Sequence, residues 1–259
     1  MLLIDHFAYN NRLVRMHPGE KTLFFVITIG ICLALPSLAT SLVITLLMAG
    51  VVVFGAGVPW RFYAKLLMVP SSFLIIGVLA VAVSVTREPQ QFLWAVHPGS
   101  FTVGITRAGL LTAAELFFRS LGAVSCLYFL SLTTPMTETV GLLKKLRMPA
   151  LVVELIALIY RLIFILLGMS GQIYTAQSSR LGYRNMRTGF TALSQLIMSM
   201  FIKSYKQSQS MYDAMVARCY DGQLHFVEEK RNWSARHVLV IVTVDGILAA
   251  WALYAGGIL

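Results

Sequence analysis

Long apolar runs alternate with short polar breaks along most of the chain, and their lengths set the first expectation. A bilayer core takes about 20 apolar residues as a helix, with about 17 as the lower end. Runs at roughly 21–36, 41–58, 66–86 and 108–133 meet that length, and a fifth closes the sequence at 237–258. Each predicts a transmembrane helix. Arg12, Arg15 and Lys21 precede or open the first run, the break at 36–41 carries no charge, and the break at 58–66 holds Arg61 and Lys65. Excess Lys and Arg stay on the cytoplasmic side, which places the N-terminus inside, the 87–107 loop outside and Thr134 inside again.

From 134 onwards the pattern changes to helices with a basic polar side. Thr134 and Pro135 predict a helix start, with the Thr134 hydroxyl as N-cap, the proline at the first helical position and Glu138 in the first turn. Met136, Val140 and Leu143 line one face. Lys144, Lys145 and Arg147 suit the C-terminal end of that short helix, and Pro149 ends it and opens the next. The spacing then predicts a helix from Pro149 to about Arg180, on the order of 45 Å long. Gly168 and Gly171 permit a bend in it, and Gly182 with Asn185 mark its stop. A further helix is expected from about Thr191 to Tyr220, followed by a turn at Asp221 and Gly222.

Residues 172–236 hold nine Lys or Arg against four Asp or Glu. If Leu151–Met169 crossed the membrane, Arg180, Arg184, Arg187, Lys203, Lys206, Arg218, Lys230, Arg231 and Arg236 would all lie outside, and Phe190–Ile202 is too short to bring the chain back. Both long helices are therefore expected along the cytoplasmic face as amphipathic elements. The predicted fold is an all-α integral membrane protein with about five transmembrane helices, plus one short and two long helices on the cytoplasmic side. Its expected domains are a four-span bundle at 1–133, a cytoplasmic helical domain at 134–236 and a last transmembrane helix at 237–259.

Composition agrees with a membrane protein: 58% of residues are hydrophobic and 12% charged, against about 25% charged in ordinary soluble proteins. The net charge of +10 would draw nucleic acid to a soluble protein, but no reader motif accompanies it and cytoplasmic topology accounts for it. No nucleic-acid partner is expected.

Candidate chemistry is sparse. Glu115 and Arg119 share one helix face inside the fourth run, as do Glu154 and Arg161 further on. Charge at membrane depth is costly, and each pair is expected to be an internal ion pair that fixes packing, with a polar spot on a transport path as the alternative. His6, His17, His97, His225 and His237 fall at spacings that suit no helix-borne metal site, and Cys32, Cys126 and Cys219 form no pattern. No P-loop, G-x-S-x-G or H-E-x-x-H motif is present. The chain is expected to hold no metal or cofactor and to be no enzyme. The two long helices do carry more apolar surface than solvated helices need: Leu151, Leu155, Ile156, Ile159, Ile163, Leu166 and Leu167 in one, and Leu193, Leu196, Ile197, Met200, Phe201 and Met211 in the other. Methionines make such a face adaptable to a moving partner.

Several segments carry a family resemblance: LIDHFAYNNRLVRMHPGEKTL at 3–23, GITRAGL at 104–110 with Arg119 after it, TPMTETVGLLKKLRMP at 134–149, IYRLIFILL at 159–167, AQSSRLG at 176–182 and YDAMVARCYDG at 212–222. Over nearly its whole length the chain resembles the transmembrane coupling subunit, or T component, of energy-coupling-factor (ECF) transporters, and within that group the cobalt-type CbiQ subunit. The resemblance implies a bacterial inner-membrane protein with no catalysis of its own. It further implies two ABC ATPase partners, a small substrate-binding membrane subunit and an accessory membrane subunit, with cobalt ions as cargo.

In that family two short motifs, commonly Ala-Arg-Gly, end the two coupling helices and dock on the ATPases. The matching residues here are Ser179, Arg180 and Leu181, and Ala217, Arg218 and Cys219. The arginine is kept at both sites and the glycine at neither, which leaves the tightness of each helix end open. Leu155, Ile159, Ile163, Leu196 and Met200 are the expected contact surface for the substrate-binding subunit. Nickel and vitamin transporters share this architecture, and a membrane scaffold whose basic helices bind anionic lipid is the alternative from another class.

Overall fold

The computed structural model describes residues 3–35, 37–86, 92–96, 102–222 and 233–255. His97, His225, Lys230 and Arg231, parts of the 87–107 loop and the end of the last apolar run lie outside the described residues. Helix α1 spans Leu3–Tyr9 and leads through a 3-10 turn at Arg12–Arg15 into α2, Pro18–Ala34. Helix α3, Leu38–Gly50, continues as a π-helical turn over Val51–Gly55. It is followed by α4, Trp60–Ala82, which carries Pro70 in its interior, and later by α5, Arg107–Thr133. Then come α6, Met136–Lys145, α7, Ala150–Ser179, α8, Met186–Val216, and α9, Ala235–Ala255.

The helical membrane architecture is as expected, with one addition. Between α4 and α5, strands β1 (Val83–Thr86), β2 (Phe92–Val96) and β3 (Thr102–Thr106) form an antiparallel sheet in the order β1-β3-β2. Val83 pairs with Ile105 and Thr86 with Thr102. Val83, Val85, Val103 and Ile105 are β-branched and suit a pleated ribbon, so the stretch expected as the end of the third span leaves the helix at Ala82.

Among the described residues, five helices are long and apolar enough to cross a membrane: Leu38–Gly55, Trp60–Val81, Gly109–Thr133, Ala150–Ser179 and Ala235–Ala255. The number matches the expectation and the membership does not. Helix α2 has 17 residues, the lower end for a span, while α7 qualifies and is the most apolar of the five.

The chain forms two compact units, one made of α6–α8 and the other of the remaining elements. In the larger unit α5 is the central helix, packed against α1, α2, α3 and α4, with α9 closing on α2 and α3. Ile44, Met48 and Val52 from α3 and its π turn meet Cys32 of α2, Cys126 and Leu132 of α5 and Leu248 of α9 in the core. The rings of Phe24 and Phe129 meet edge to face at 5.4 Å. Gly122 marks a close approach of α5 to α2 and α3: a Cβ there would stand 3.1 Å from the Cys32 sulfur and 3.4 Å from the Ser41 carbonyl oxygen. Small residues at such crossings let membrane helices pack tightly.

Polar side chains hold the end of α5. Lys21, 1% exposed, donates from Nζ to the Thr133 carbonyl at 2.8 Å, and Asn11 donates to the carbonyls of Leu132 and Thr133 as well as to Ala8. A helix leaves its last four carbonyls unpaired, and a cation there also complements the helix dipole. The neighbouring Glu20, also 1% exposed, accepts from the Ser234 backbone N–H at 2.7 Å and meets His237 Nδ1 at 3.1 Å. It thus ties α2 to the start of α9. Lys21, counted above as a topology signal, is part of this buried framework.

Two local expectations change. Thr134 caps the C-terminus of α5, its N–H bonded to the Leu130 carbonyl at 2.9 Å, and its buried hydroxyl has no hydrogen-bond partner. It is not the N-cap of α6, because that helix starts at Met136, beyond the reach of a cap at 134. Arg119 donates to the Leu33 carbonyl at the end of α2 rather than to Glu115.

Replacing Lys21 with Met keeps the length of the side chain and removes the donor. The detergent-solubilised variant should unfold at a lower temperature, with a loss of about 2 kcal/mol for a charged hydrogen bond. An unchanged melting curve would show that the end of α5 does not depend on it.

Candidate docking ends and apolar face

Pro149 directly precedes α7, with an extended ψ of 133°, and so serves as its N-cap residue. The helix then runs 30 residues, through Gly168 and Gly171, to Ser179. Helix α8 starts at Met186, five residues earlier than expected, because Asn185 is its N-cap and forms a reciprocal capping box with Thr188. Sequence reading had used Asn185 to stop α7. Asparagine serves both ends of helices, since its side chain bonds to nearby backbone and it tolerates left-handed geometry.

The two predicted docking segments adopt the same backbone structure. After α7, the Leu181 N–H bonds to the Ser178 carbonyl at 3.0 Å and the Gly182 N–H to the Gln177 carbonyl at 2.9 Å. After α8, the Cys219 N–H bonds to the Val216 carbonyl at 3.0 Å and the Tyr220 N–H to the Met215 carbonyl at 3.1 Å. Both are Schellman turns, in which one residue in the left-handed region folds the last carbonyls onto following N–H groups. Leu181 has φ 58° and Cys219 φ 59°. Each arginine thus stands immediately before the left-handed position.

This resolves the missing glycines. Leu181 and Cys219 occupy the third motif position, where a left-handed backbone favours glycine, and the turn closes tightly regardless at a cost of roughly 1–2 kcal/mol per residue. The end of α6 repeats the pattern, with Arg147 at φ 60°. Gly182 is glycine for another reason: a Cβ there would lie 2.9 Å from the Gln177 carbonyl oxygen and 3.4 Å from the Ala192 Cβ.

Arg180 and Arg218 are exposed, as are Ser179, Leu181, Ala217 and Cys219. Neither arginine has a side-chain hydrogen bond or ion pair among the described residues. The helix ends beneath them are held. Gln177 Nε2 donates to the Ala192 carbonyl of α8 at 2.9 Å and Gln177 Oε1 accepts from the Tyr183 hydroxyl at 2.8 Å. At the far end Tyr220 donates its hydroxyl proton to Glu154 Oε2 of α7 at 3.0 Å. Partial desolvation and the Glu154 carboxylate hold the Tyr220 phenol above its ordinary pKa. Glu154, paired in expectation with Arg161, is bonded here to a residue 66 positions away.

Of the expected apolar contact surface, Leu155, Ile159 and Ile163 are exposed on α7 and continue a stripe with Leu151 and Leu167. Leu196 and Met200 of α8 are half-buried, while Phe190, Leu193, Ile197 and Phe201 are exposed. Among the described residues no three His, Cys, Asp or Glu side chains converge as a metal site.

Sequence reading missed Asp245 as well as the braces of Gln177 and Tyr220. In α9, 4% exposed, Asp245 meets the Thr28 hydroxyl of α2 at 3.0 Å. A lone carboxyl inside an apolar run was a legible signal, because such groups are rare at membrane depth. The braces left none, since periodicity says nothing about contacts between distant helix ends.

Residues 10–227 match the sequence profile of the cobalt transport protein family CbiQ. The chain is 31% identical over 223 residues to the cobalt transport protein CbiQ of Salmonella typhimurium, an alignment that covers 86% of this chain and 98% of that one. It is 25% identical to the cobalt transport protein CbiQ of Rhodobacter capsulatus, over 96% of this chain and 98% of the relative. An uncharacterized protein of Methanocaldococcus jannaschii is 29% identical over 94% of this chain and 90% of its own length.

Restoring glycine at either left-handed position should stabilise the protein. Leu181→Gly and Cys219→Gly are each expected to gain about 0.5–1 kcal/mol, the relief of left-handed strain less the entropy glycine adds to the unfolded chain. Thermal melts in detergent read this directly. A loss of stability in both would mean that the side chains at 181 and 219 contribute contacts worth more than the strain.

Proposed function

Because the chain belongs to the CbiQ family of cobalt transport proteins and is a multi-pass membrane protein, we propose that it is the transmembrane coupling subunit of an ECF-type ABC importer for cobalt ions. In this reading Arg180 and Arg218 each enter a groove on one of two ABC ATPase subunits. The apolar stripe of α7 and α8 bears on a small substrate-binding membrane subunit, with an accessory membrane subunit and lipid around the bundle. ATP hydrolysis takes place in the ATPases, and this chain performs no chemistry. The protein lies in the plasma membrane with its N-terminus and the α6–α8 unit on the cytoplasmic side.

One observation carries the reading: two exposed arginines without a side-chain partner among the described residues stand at the same place, just before the left-handed residue, on two equivalent turns. Arg180 ends α7 and Arg218 lies beyond the 31 residues of α8, so the length of α8 between them is on the order of 45 Å. A pair of like sites on two copies of one protein is the natural receptor for such a repeated element. Arginine suits the task because its planar guanidinium binds a carboxylate through two bonds and stays charged when partly desolvated. The turn beneath each one is closed by backbone hydrogen bonds, which leaves all five donors of the side chain available.

Affinity purification of the tagged protein from native membranes, with mass spectrometry of what is bound, tests this. ATPase subunits and a small membrane protein are expected with the wild type. Arg180→Glu combined with Arg218→Glu should remove the ATPases, by at least tenfold if each loses one charged bidentate contact. Recovery of lipid alone from the wild type would favour the scaffold.

A further inference from the structure

Both proposed docking ends are bonded to the opposite helix of the α7–α8 pair, and the two bonds do different work. Gln177 lies one turn before Arg180 and reaches Ala192 across the connecting turn. Covalent continuity already keeps those two residues close. Tyr220 is two residues past Arg218, and its partner Glu154 sits in the second turn of α7, at the opposite end of that helix from the connection. Nothing covalent enforces this second contact.

We propose that the Tyr220–Glu154 hydrogen bond is a positioning contact that joins the two docking ends into one lever, so that motion received at Arg218 is passed to α7 instead of being absorbed by α8. The proposal rests on the docking reading above. Without the bond, α8 is a 31-residue helix anchored through the connecting turn and its packing on α7, and its far end is coupled less stiffly to α7. With it, the pair is closed at both ends and a displacement of either arginine loads both helices.

The chemistry of the bond suits that role. Glu154 is 7% exposed, and a hydrogen bond to a carboxylate shielded from water is stronger than a neutral one on the surface. Tyr220 is also the residue whose backbone N–H closes the Schellman turn, onto Met215 at 3.1 Å. The same residue therefore fixes the turn that presents Arg218 and ties that turn to α7. A phenol has few rotatable bonds, so little orientation is lost between its hydroxyl and its backbone.

The experiment uses the complete transporter, purified with its ATPases and reconstituted in liposomes, and measures cobalt(II) uptake and ATP hydrolysis together. Tyr220→Phe removes one oxygen and leaves Arg218 and the turn in place. It should retain the ATPases and their hydrolysis while uptake per ATP falls about tenfold, the loss of one charged hydrogen bond in the closed arrangement. Glu154→Gln keeps an acceptor oxygen and should couple close to the wild type, whereas Glu154→Leu should match Tyr220→Phe, and the double variant Tyr220→Phe with Glu154→Leu should be no worse than either alone. A merely structural role would lower expression or melting temperature without changing the ratio of uptake to hydrolysis. Wild-type coupling in Tyr220→Phe overturns the brace. ATPases that remain bound after charge reversal at both Arg180 and Arg218 overturn the docking reading, and the brace falls with it.

Discussion

The last carbonyls of each helix must find hydrogen-bond partners, and the two units meet this requirement by opposite means. In the bundle, side chains do it: Arg119 reaches the end of α2, and Lys21 with Asn11 hold the end of α5. Buried away from water, a bare carbonyl is expensive and a long cation is an effective cap. In the α6–α8 unit the backbone does it, through left-handed residues at Arg147, Leu181 and Cys219. The consequence is a division of cations. Lys21 and Arg119 are consumed by structure, while Arg180 and Arg218 stand beside helix ends that already have their partners.

That division explains why the protein tolerates strain where glycine would relieve it. Three non-glycine residues in the left-handed region cost a few kcal/mol together, a large share of the 5–15 kcal/mol that separates most folded proteins from their unfolded chains. The cost is borne at the ends of α6, α7 and α8 and nowhere else among the described residues. Leu181 is 66% exposed, so its side chain gains little from its own fold. A leucine or cysteine flanking each arginine offers an apolar or polarisable contact that glycine could not, which is consistent with a surface shaped for a partner.

Much of the fold was legible because its elements are long and periodic. The start of α7 follows from Pro149, and its end near Arg180 from Gly182 and Asn185 just beyond. Short-range chemistry was harder to read. Asn185 fits the end of one helix as well as the start of the next, and the valines of the strand Val83–Thr86 continue the apolar run of the helix it follows. The arginines of the candidate site were found through their neighbours in sequence, while the turn geometry beneath them was hidden by the absent glycines. Glu154 shows the limit most clearly. Its spacing to Arg161 suggested a partner on its own helix, yet its hydroxyl donor comes from the end of another.

The same bond bears on the most apolar helix of the chain. By length and composition α7 can cross a bilayer, and α8 cannot, since Arg187, Lys203, Lys206 and Asp213 interrupt it. Gln177 binds α7 to α8 near one end and Glu154 binds it near the other. A pair joined at both ends shares one environment along its length. Placing α7 through the hydrocarbon would take α8 with it, at roughly 2.5–3.5 kcal/mol for each charge near the centre. In the proposed placement along the cytoplasmic interface neither helix would lose its preference: α7 and the apolar side of α8 would face the acyl chains or a membrane partner, and the basic side of α8 water and anionic headgroups. The braces therefore favour an in-plane pair, and the high apolarity of α7 then measures how much of its surface a partner within the membrane can cover.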